Sequence, residues 1–406
     1  MTYPAPFVPR TERELSIVER ARAAARIAAE HAAQHDRDLT FPEEGLAALA
    51  ESSYLALAVP TDLGGEGATI PEMVLGNLEI AKGDASLGLV VAMHGVLIGK
   101  ARDARQWPAA LFDHLARSVV AARGGRGALV NSLATEPEMG SPSRGGMPRT
   151  RAERVSDGWQ IRGRKSFSTG SPVLAWAVVS AAAVDGAAEP RLASFLVPLQ
   201  APGVHIERSW DTLGMRATGS DTVVFDDVRV PVDAEIVRGA VGAADGTVPL
   251  DVAWSLTVAA VYLGVAEAAR DYAVTFARER KPTALGGTSI ASVPHIRRRT
   301  GDIDLQLYQA RGLLVGAARA WDGDATVAAR RGMEGALVAA KTTTADTAVR
   351  VAEAAMRLVG GSSLDRLQPL ERHFRDVRGG LHHPPQEDAA LELLARQALD
   401  TASSAP

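Results

Sequence analysis

The chain has no cysteine among its 406 residues. That excludes disulfides, thiolate metal sites and cysteine nucleophiles. It also lacks an excess of either charge, standing at a formal −4, so nothing in it suggests a nucleic-acid surface or a polybasic membrane patch. No apolar run reaches membrane length: the longest are Leu87–Gly99, Val173–Val184 and Val252–Ala266, interrupted by His94 in the first and by Ser255 and Thr257 in the last. The opening MTYPAPFVPR has no basic-then-apolar leader pattern. A cytoplasmic protein that binds neither nucleic acid nor membrane is therefore expected. There is no internal repeat and no low-complexity tract.

What is present is an ordinary globular mixture, 46% hydrophobic and 23% charged. The length exceeds one ordinary core, so two or three packed units are expected. Thr11 and Glu14 form a capping-box pattern ahead of Leu15, Val18, Ala21, Ala25 and Ala28 at helical spacing, which predicts a helix over 11–36. Further helices are predicted from Pro42, from Pro71 to about Lys82, from Ser86 to about Arg102, and after Pro108. At Ala128 the pattern changes. ALVNSLA, ERVSDGWQIRGRKSFS, WAVVSAAAV, RLASFLVPL, GVHIERSW and DTVVFDDVRVP are short, often alternating, and rich in Val, Ile, Phe and Trp. From about Val248 the helical period returns, with long helices predicted near 249–278, 290–322, 334–358 and 387–401. The expected architecture is α+β and multidomain: an N-terminal helical domain over 1–125, a central antiparallel β-sandwich or barrel over 126–240, and a C-terminal four-helix bundle over 241–406. Two polar, glycine-bearing turns, SLATEPEMGSPSRGG and RKSFSTGS, lie between the helical units and suit a flat, polar-edged cofactor.

That order of units resembles the acyl-CoA dehydrogenase superfamily, and the motifs strengthen the likeness. LATEPEMGS is similar to its TEP-x-x-GS loop. GWQIRGRKSFSTGSPVLAW is similar to the following W-x-x-x-G-x-K segment, and GMRATGSDTVVFDDVRVP to its G-x-R strand. FARERKP and RHFRDVR match landmarks of the bundle. The resemblance covers nearly the whole chain. It implies a flavin, FAD or FMN, held between β unit and bundle, a small-molecule substrate, and a homotetramer or homodimer. Thr135 would meet the pyrimidine edge of the ring, with Ser141 closing the same loop, and Thr169, with Ser168 beside it, would reach N5. Trp176 is the aromatic that the family often lays over the flavin, and plain packing is the alternative for it. Arg278, Arg280, Gly360 and Gly361 are the remaining candidates for phosphate contacts.

Dehydrogenases of this superfamily need a carboxylate base. Its two known positions correspond here to Pro384, counted from Arg375-Asp376, and to Trp254, counted back from Gly264. Neither is acidic, which leaves Glu387 or Asp388 as relocated bases. Histidines stand nearby instead: His94 in VVAMHGVLIG, and His382 and His383 in the loop where the base belongs. The monooxygenase branch of the superfamily lacks the base, uses such histidines, favours the STG and GMR-x-TGS forms found here, and takes reduced flavin from a separate reductase. His94, His382 and His383 are the catalytic candidates on that resemblance, with a bonded core histidine as the alternative for His94. The second reading is an acyl-CoA dehydrogenase with a moved base, and the third is a non-catalytic flavin-binding assembly protein. No metal site is expected, because no carboxylate stands at ligand spacing from the histidines.

Overall fold

The computed structural model describes residues 3–5, 7–122, 128–138, 146–238 and 249–400. The boundaries expected at 125/126 and 240/241 lie outside these residues, as does Ser141.

The N-terminal unit contains α1 (Glu12–Asp38), α2 (Glu43–Glu51), α3 (Ile70–Gly83), α4 (Ala85–Ala104) and α5 (Ala109–Ala121). Thr11 caps α1 by accepting the Glu14 N–H at 3.1 Å, and α3 opens with a full capping box between Thr69 and Glu72. One face of α1 is apolar, with Ile17, Val18, Ala21, Ala24 and Ala28 buried. By contrast α3 is buried nearly all round, because α1, α4 and the bundle enclose it.

The central unit holds β1 (Leu129–Leu133), β2 (Arg151–Val155), β3 (Gly158–Lys165), β4 (Leu174–Val184), β5 (Arg191–Pro198), β6 (Val204–Glu207), β7 (Thr222–Pro231) and β8 (Glu235–Arg238). They form one sheet in the order β6-β7-β3-β2-β4-β5-β8, with β1 paired to β4. Most pairings are antiparallel, as expected, but β4 pairs in parallel with both β1 and β2 along one edge. The sheet curls strongly. Trp159 on β3 meets Phe195 on β5 with ring centroids 5.3 Å apart, although a flat sheet would separate these strands by roughly 14 Å.

The C-terminal unit contains α6 (Leu250–Glu279), α7 (Pro294–Gly323), α8 (Val327–Gly332), α9 (Glu334–Val359), α10 (Pro369–Asp376) and α11 (Glu387–Leu399). α6 is its axis, packed against α3, α4, α7 and α9. The approach to α3 is close: a Cβ at Gly264 would stand 2.2 Å from the Leu78 carbonyl oxygen. The fourth member of the expected bundle is weaker than predicted, since α11 lies on α9 and buries only Ala390. α4 and α6 are each long and apolar enough to cross a membrane by length and composition. That corrects the sequence expectation, which ended the two runs at Gly99 and Ala266, short of membrane length. Both helices are mostly buried inside the fold, and this burial accounts for their apolar composition.

Candidate functional site

The two polar turns meet a third, the GMRATGS segment ahead of β7, and the three are joined by hydrogen bonds. The chain leaves β3 at Lys165 and turns at Phe167, whose φ of 54° is in the left-handed region. Backbone bonds then bind this turn to the third segment: Ser168 N–H to Asp221 O at 3.3 Å, Gly170 N–H to Thr218 O at 2.9 Å, and Ser171 N–H to Gly219 O at 3.1 Å. Gly170 takes φ 84°, which a side chain rarely adopts. On the other side, Ser166 N–H donates to Thr135 O at 3.0 Å. Asn131 of β1 donates its amide to Thr169 O at 3.0 Å.

A buried ion pair underlies these turns. Glu136 and Lys165 are 2% and 0% exposed, with Nζ 2.7 Å from the carboxylate. The same carboxylate accepts the N–H groups of Arg149 and Thr150 at 2.7 and 3.0 Å. Burial works to raise the pKa of Glu136, but Lys165 and the Thr150 N–H hold it below the ordinary carboxylate range. Glu136 is therefore a clamp with its lone pairs occupied.

The predicted hydroxyls differ in what they offer. Ser168 is fully buried and turns inward, donating to Lys165 O at 3.3 Å, so it does not serve as an outward contact. Thr169 accepts from the Ser220 hydroxyl at 3.0 Å, and its remaining valence has no partner among the described residues. The Thr135 hydroxyl is likewise without a partner among them, on a half-buried residue. Trp176 takes the packing role. Its ring stands edge-on to His114 of α5 at 5.3 Å, within the small cluster beneath that helix. The aromatic that does border Thr169 is one the sequence reading passed over. Phe167 is 63% exposed and lies edge-on to Trp210 at 5.4 Å.

His94 does not present a nitrogen to this region. It is 2% exposed; its Nε2–H donates to Leu55 O at 2.9 Å, and Nδ1 accepts the Val130 N–H at 3.1 Å. Both nitrogens serve the backbone, so the ring braces α4 against β1 as a bonded core histidine. Burial pushes its pKa down to about 4, leaving it neutral at physiological pH.

The bundle side carries the rest. Trp254 is fully buried, with its indole N–H on Asp103 at 3.0 Å. It packs so closely on Gly99 that a Cβ there would stand 2.1 Å from the indole. His383 is half-buried, with its ring 5.7 Å from that of Tyr262. Burial, with Lys341 and His382 adding to it, lowers His383 to about 4. His382 is exposed, and its N–H donates to Gly379 O at 3.1 Å. Lys341, which the sequence reading also missed, fixes this loop. Its buried ammonium donates to the carbonyls of Gly380, His383 and Pro385 at 3.3, 2.7 and 2.8 Å, and burial lowers it to about 8. The Tyr262 hydroxyl is buried and has no partner among the described residues. Gly379 lies between Met215 and Tyr262: a Cβ there would be 3.1 Å from the first and 2.9 Å from the second. The loop of His382 and His383 thus abuts the GMRATGS segment.

The other carboxylates at these turns are occupied. Asp221 accepts the N–H groups of Ser209 and Trp210 at 2.9 and 3.0 Å. Asp376 accepts the Met215 N–H at 2.6 Å, and burial lifts it to about 7. Glu387 and Asp388 are exposed on the first turn of α11 and enter no enclosed site. Arg278, Arg280, Gly360 and Gly361 are all exposed.

Comparison with known proteins agrees with this architecture. Family models for the acyl-CoA dehydrogenase N-terminal, middle and C-terminal domains match residues 11–102, 132–228 and 256–384. A putative acyl-CoA dehydrogenase, YdbM of Bacillus subtilis (strain 168), is 38% identical over 91% of this chain and 93% of its own. An L-evernosamine nitrososynthase of a Micromonospora species is 32% identical over 92% of this chain and 87% of its own. The structure of KijD3 with FMN and a dTDP-linked 3-amino-4-keto sugar superposes with a TM-score of 0.84 at 29% identity, covering 97% of this chain and 96% of that one. Fold and site define a flavin-dependent oxidoreductase. The chain belongs to the acyl-CoA dehydrogenase family.

The described residues suit a flavin. Thr135 and Thr169 each offer a hydroxyl valence with no protein partner among them, and Phe167 offers an exposed aromatic face beside the second. A flavin supplies two-electron redox chemistry and, when reduced, reactivity toward oxygen.

Proposed function

We propose that this protein is the oxygenase member of a two-component flavin system, accepting reduced flavin from a separate reductase and oxygenating a small organic molecule. One observation carries the reading. Trp254 and Pro384 fill both positions where a dehydrogenase of this family keeps its base, and Glu136, Asp221 and Asp376 at the turns are each held by backbone N–H groups or Lys165. Removal of an α-proton requires a carboxylate able to accept it.

Each residue then has a defined task. Thr135 holds the pyrimidine edge of the ring and Thr169 the N5 edge. Phe167 covers part of the ring. Trp254 excludes water and substrate from the former base position. His383, neutral and braced by Tyr262 and Lys341, gives the substrate side a donor or acceptor that carries no charge. His94 acts through the backbone, positioning β1 and hence Asn131 and Thr169. FMN is favoured over FAD because the family's phenylalanine-glycine and glutamine landmarks for the distal half of FAD are ALGG and Pro294 here, and KijD3 is a structure with FMN. The nitrososynthase relative and the amino-sugar complex of KijD3 favour an amine nitrogen as the atom oxidised. Exposed Leu391 and Leu399 on α11 favour an assembly of copies, read as a homotetramer in the cytoplasm.

The test is anaerobic. Butyryl- and octanoyl-CoA added to protein saturated with FMN or FAD should leave the flavin absorbance unchanged, whereas bleaching would return the protein to the dehydrogenases. Reduced FMN bound to the protein should react with oxygen at a rate different from free FMN. Identical rates would remove the oxygenase reading, and failure to bind flavin at all would remove every flavin-based reading. Phe167→Ala should weaken FMN binding about 3- to 10-fold by fluorescence titration, the usual worth of one aromatic contact. An unchanged Kd would take Phe167 out of the flavin site.

A further inference from the structure

Behind Thr169 lies a chain of hydroxyls that ends on a carbonyl. Ser220 Oγ is 3.0 Å from Thr169 Oγ1 and 2.7 Å from Thr218 Oγ1, and Thr218 Oγ1 is 2.9 Å from Met215 O. Thr218 and Ser220 are 0% and 3% exposed, so water does not compete for their protons. A row of hydroxyls has two self-consistent proton arrangements. In the first, Thr218 donates to Ser220, Ser220 donates to Thr169, and Thr169 directs its proton outward. In the second, Thr218 donates to Met215 O, Ser220 to Thr218, and Thr169 to Ser220, so that Thr169 directs a lone pair outward. The inner bonds number two in the first case and three in the second. Met215 O is not stranded by the change, since it keeps the Trp210 indole N–H at 2.9 Å and the Thr218 N–H at 3.2 Å. The anchor is rigid, because Asp376 of α10 holds the Met215 N–H from the bundle side.

Flavin N5 has the matching property. It accepts a hydrogen bond when the ring is oxidised and donates one when the ring is reduced. A lone hydroxyl facing it could serve both states only by leaving its own proton without an acceptor in one of them. We infer that Thr169, Ser220 and Thr218 form a reversible hydroxyl relay, which lets Thr169 present a proton to oxidised flavin and a lone pair to reduced flavin. The inference rests on the proposed flavin contact of Thr169. Ser220 and Thr218 are positioning residues, acting through Thr169 and not touching the cofactor.

The relay predicts an asymmetric effect. In Ser220→Ala, Thr169 still donates to oxidised flavin. When it must accept from reduced N5–H, its own proton has lost its acceptor in a buried site. That costs about one hydrogen bond, so the Kd for reduced FMN should rise roughly fivefold more than the Kd for oxidised FMN. Thr218→Val should act in the same direction, because the Ser220 proton then lacks its inner acceptor, while Thr218→Ser should restore the wild-type ratio. The measurement is anaerobic fluorescence titration of each protein with oxidised FMN and with photoreduced FMN. A residue that merely shapes the loop would weaken both forms alike, so equal fold-changes in Ser220→Ala would overturn the relay while leaving the flavin site intact. Wild-type protein that binds neither form would overturn the relay and the proposed function together.

Discussion

Lys165→Met should destabilise the protein by about 3–5 kcal/mol and abolish tight flavin binding, the largest single-residue effect expected here. The substitution keeps the length and apolar stem of the side chain, so packing along β3 is largely retained. What it removes is the cation paired with Glu136, a carboxylate buried at the centre of the three turns. Arg149 N–H and Thr150 N–H remain on the carboxylate, and they stabilise the charge without neutralising it. The Ser180 hydroxyl, which accepts from Lys165 at 3.2 Å, loses that bond as well. The double variant Lys165→Met, Glu136→Leu should recover part of the loss, because it removes the stranded charge together with its partner. Denaturant unfolding of the two variants against wild type measures both quantities. A cost below about 1 kcal/mol for Lys165→Met would mean that the charges contribute no more than an exposed surface pair. The functional loss follows from geometry: Lys165 ends β3, and the turn carrying Phe167, Ser168 and Thr169 starts at the next residue.

The same residues show why some of this site was legible in the sequence and some was not. Long periodic segments such as α1 and α9 declare themselves because one apolar face repeats over many turns, and at α1 Thr11 marks the start with local chemistry. α10 carries no such signal, because two of its three buried residues are His373 and Asp376, and a helix whose inner face is polar has no hydrophobic period to detect. Thr169 could be placed from its motif, since a turn between strand end and strand start keeps its own geometry. Its supports, Asn131 and Ser220, arrive from distant segments, and nothing local announces a hydrogen bond across 38 or 51 positions. Choosing between Trp176 and Phe167 required the direction of each side chain. Trp176 lies in β4, whose pairing commits its ring to the α5 side, while Phe167 sits at a left-handed turn that directs its ring outward. Lys341 was invisible for a related reason. A lysine in an alanine- and threonine-rich helix reads as solvated, and only the returning loop supplies the three carbonyls that bury it. The remaining short elements behave likewise, their identities set by partners far along the chain.

His94→Gln should cost stability at pH 7.5, and the difference from wild type should shrink by about 2 kcal/mol at pH 5. Only one form of the ring fits its surroundings, because Nε2 must carry a proton for Leu55 O and Nδ1 must be bare for the Val130 N–H. A second proton would set two N–H groups against each other inside the core. Burial therefore holds His94 at about 4 in the folded protein against 6.5 in the open chain. A base whose folded value is depressed stabilises fully above the unfolded value. Below pH 6.5 the unfolded chain takes up a proton that the native state refuses, and stability falls until the folded value is reached. For His94 that amounts to about 3 kcal/mol over the whole interval, two-thirds of it by pH 5. His373 and His383, lowered to about 3 and about 4, act with the same sign, while Asp376, raised to about 7, opposes them. Comparing wild type with His94→Gln at each pH cancels those common terms. Glutamine does not titrate, so it escapes the acid penalty, and its amide restores at best part of the two hydrogen bonds. Unfolding curves at pH 7.5 and 5 read the difference directly. A gap that stays constant with pH would show that the ring is not held neutral. Activity separates a chemical role from a structural one. A chemical role would silence turnover in a variant that folds well, whereas a brace between α4 and β1 predicts that lost activity follows lost stability and returns with conditions that restore the fold.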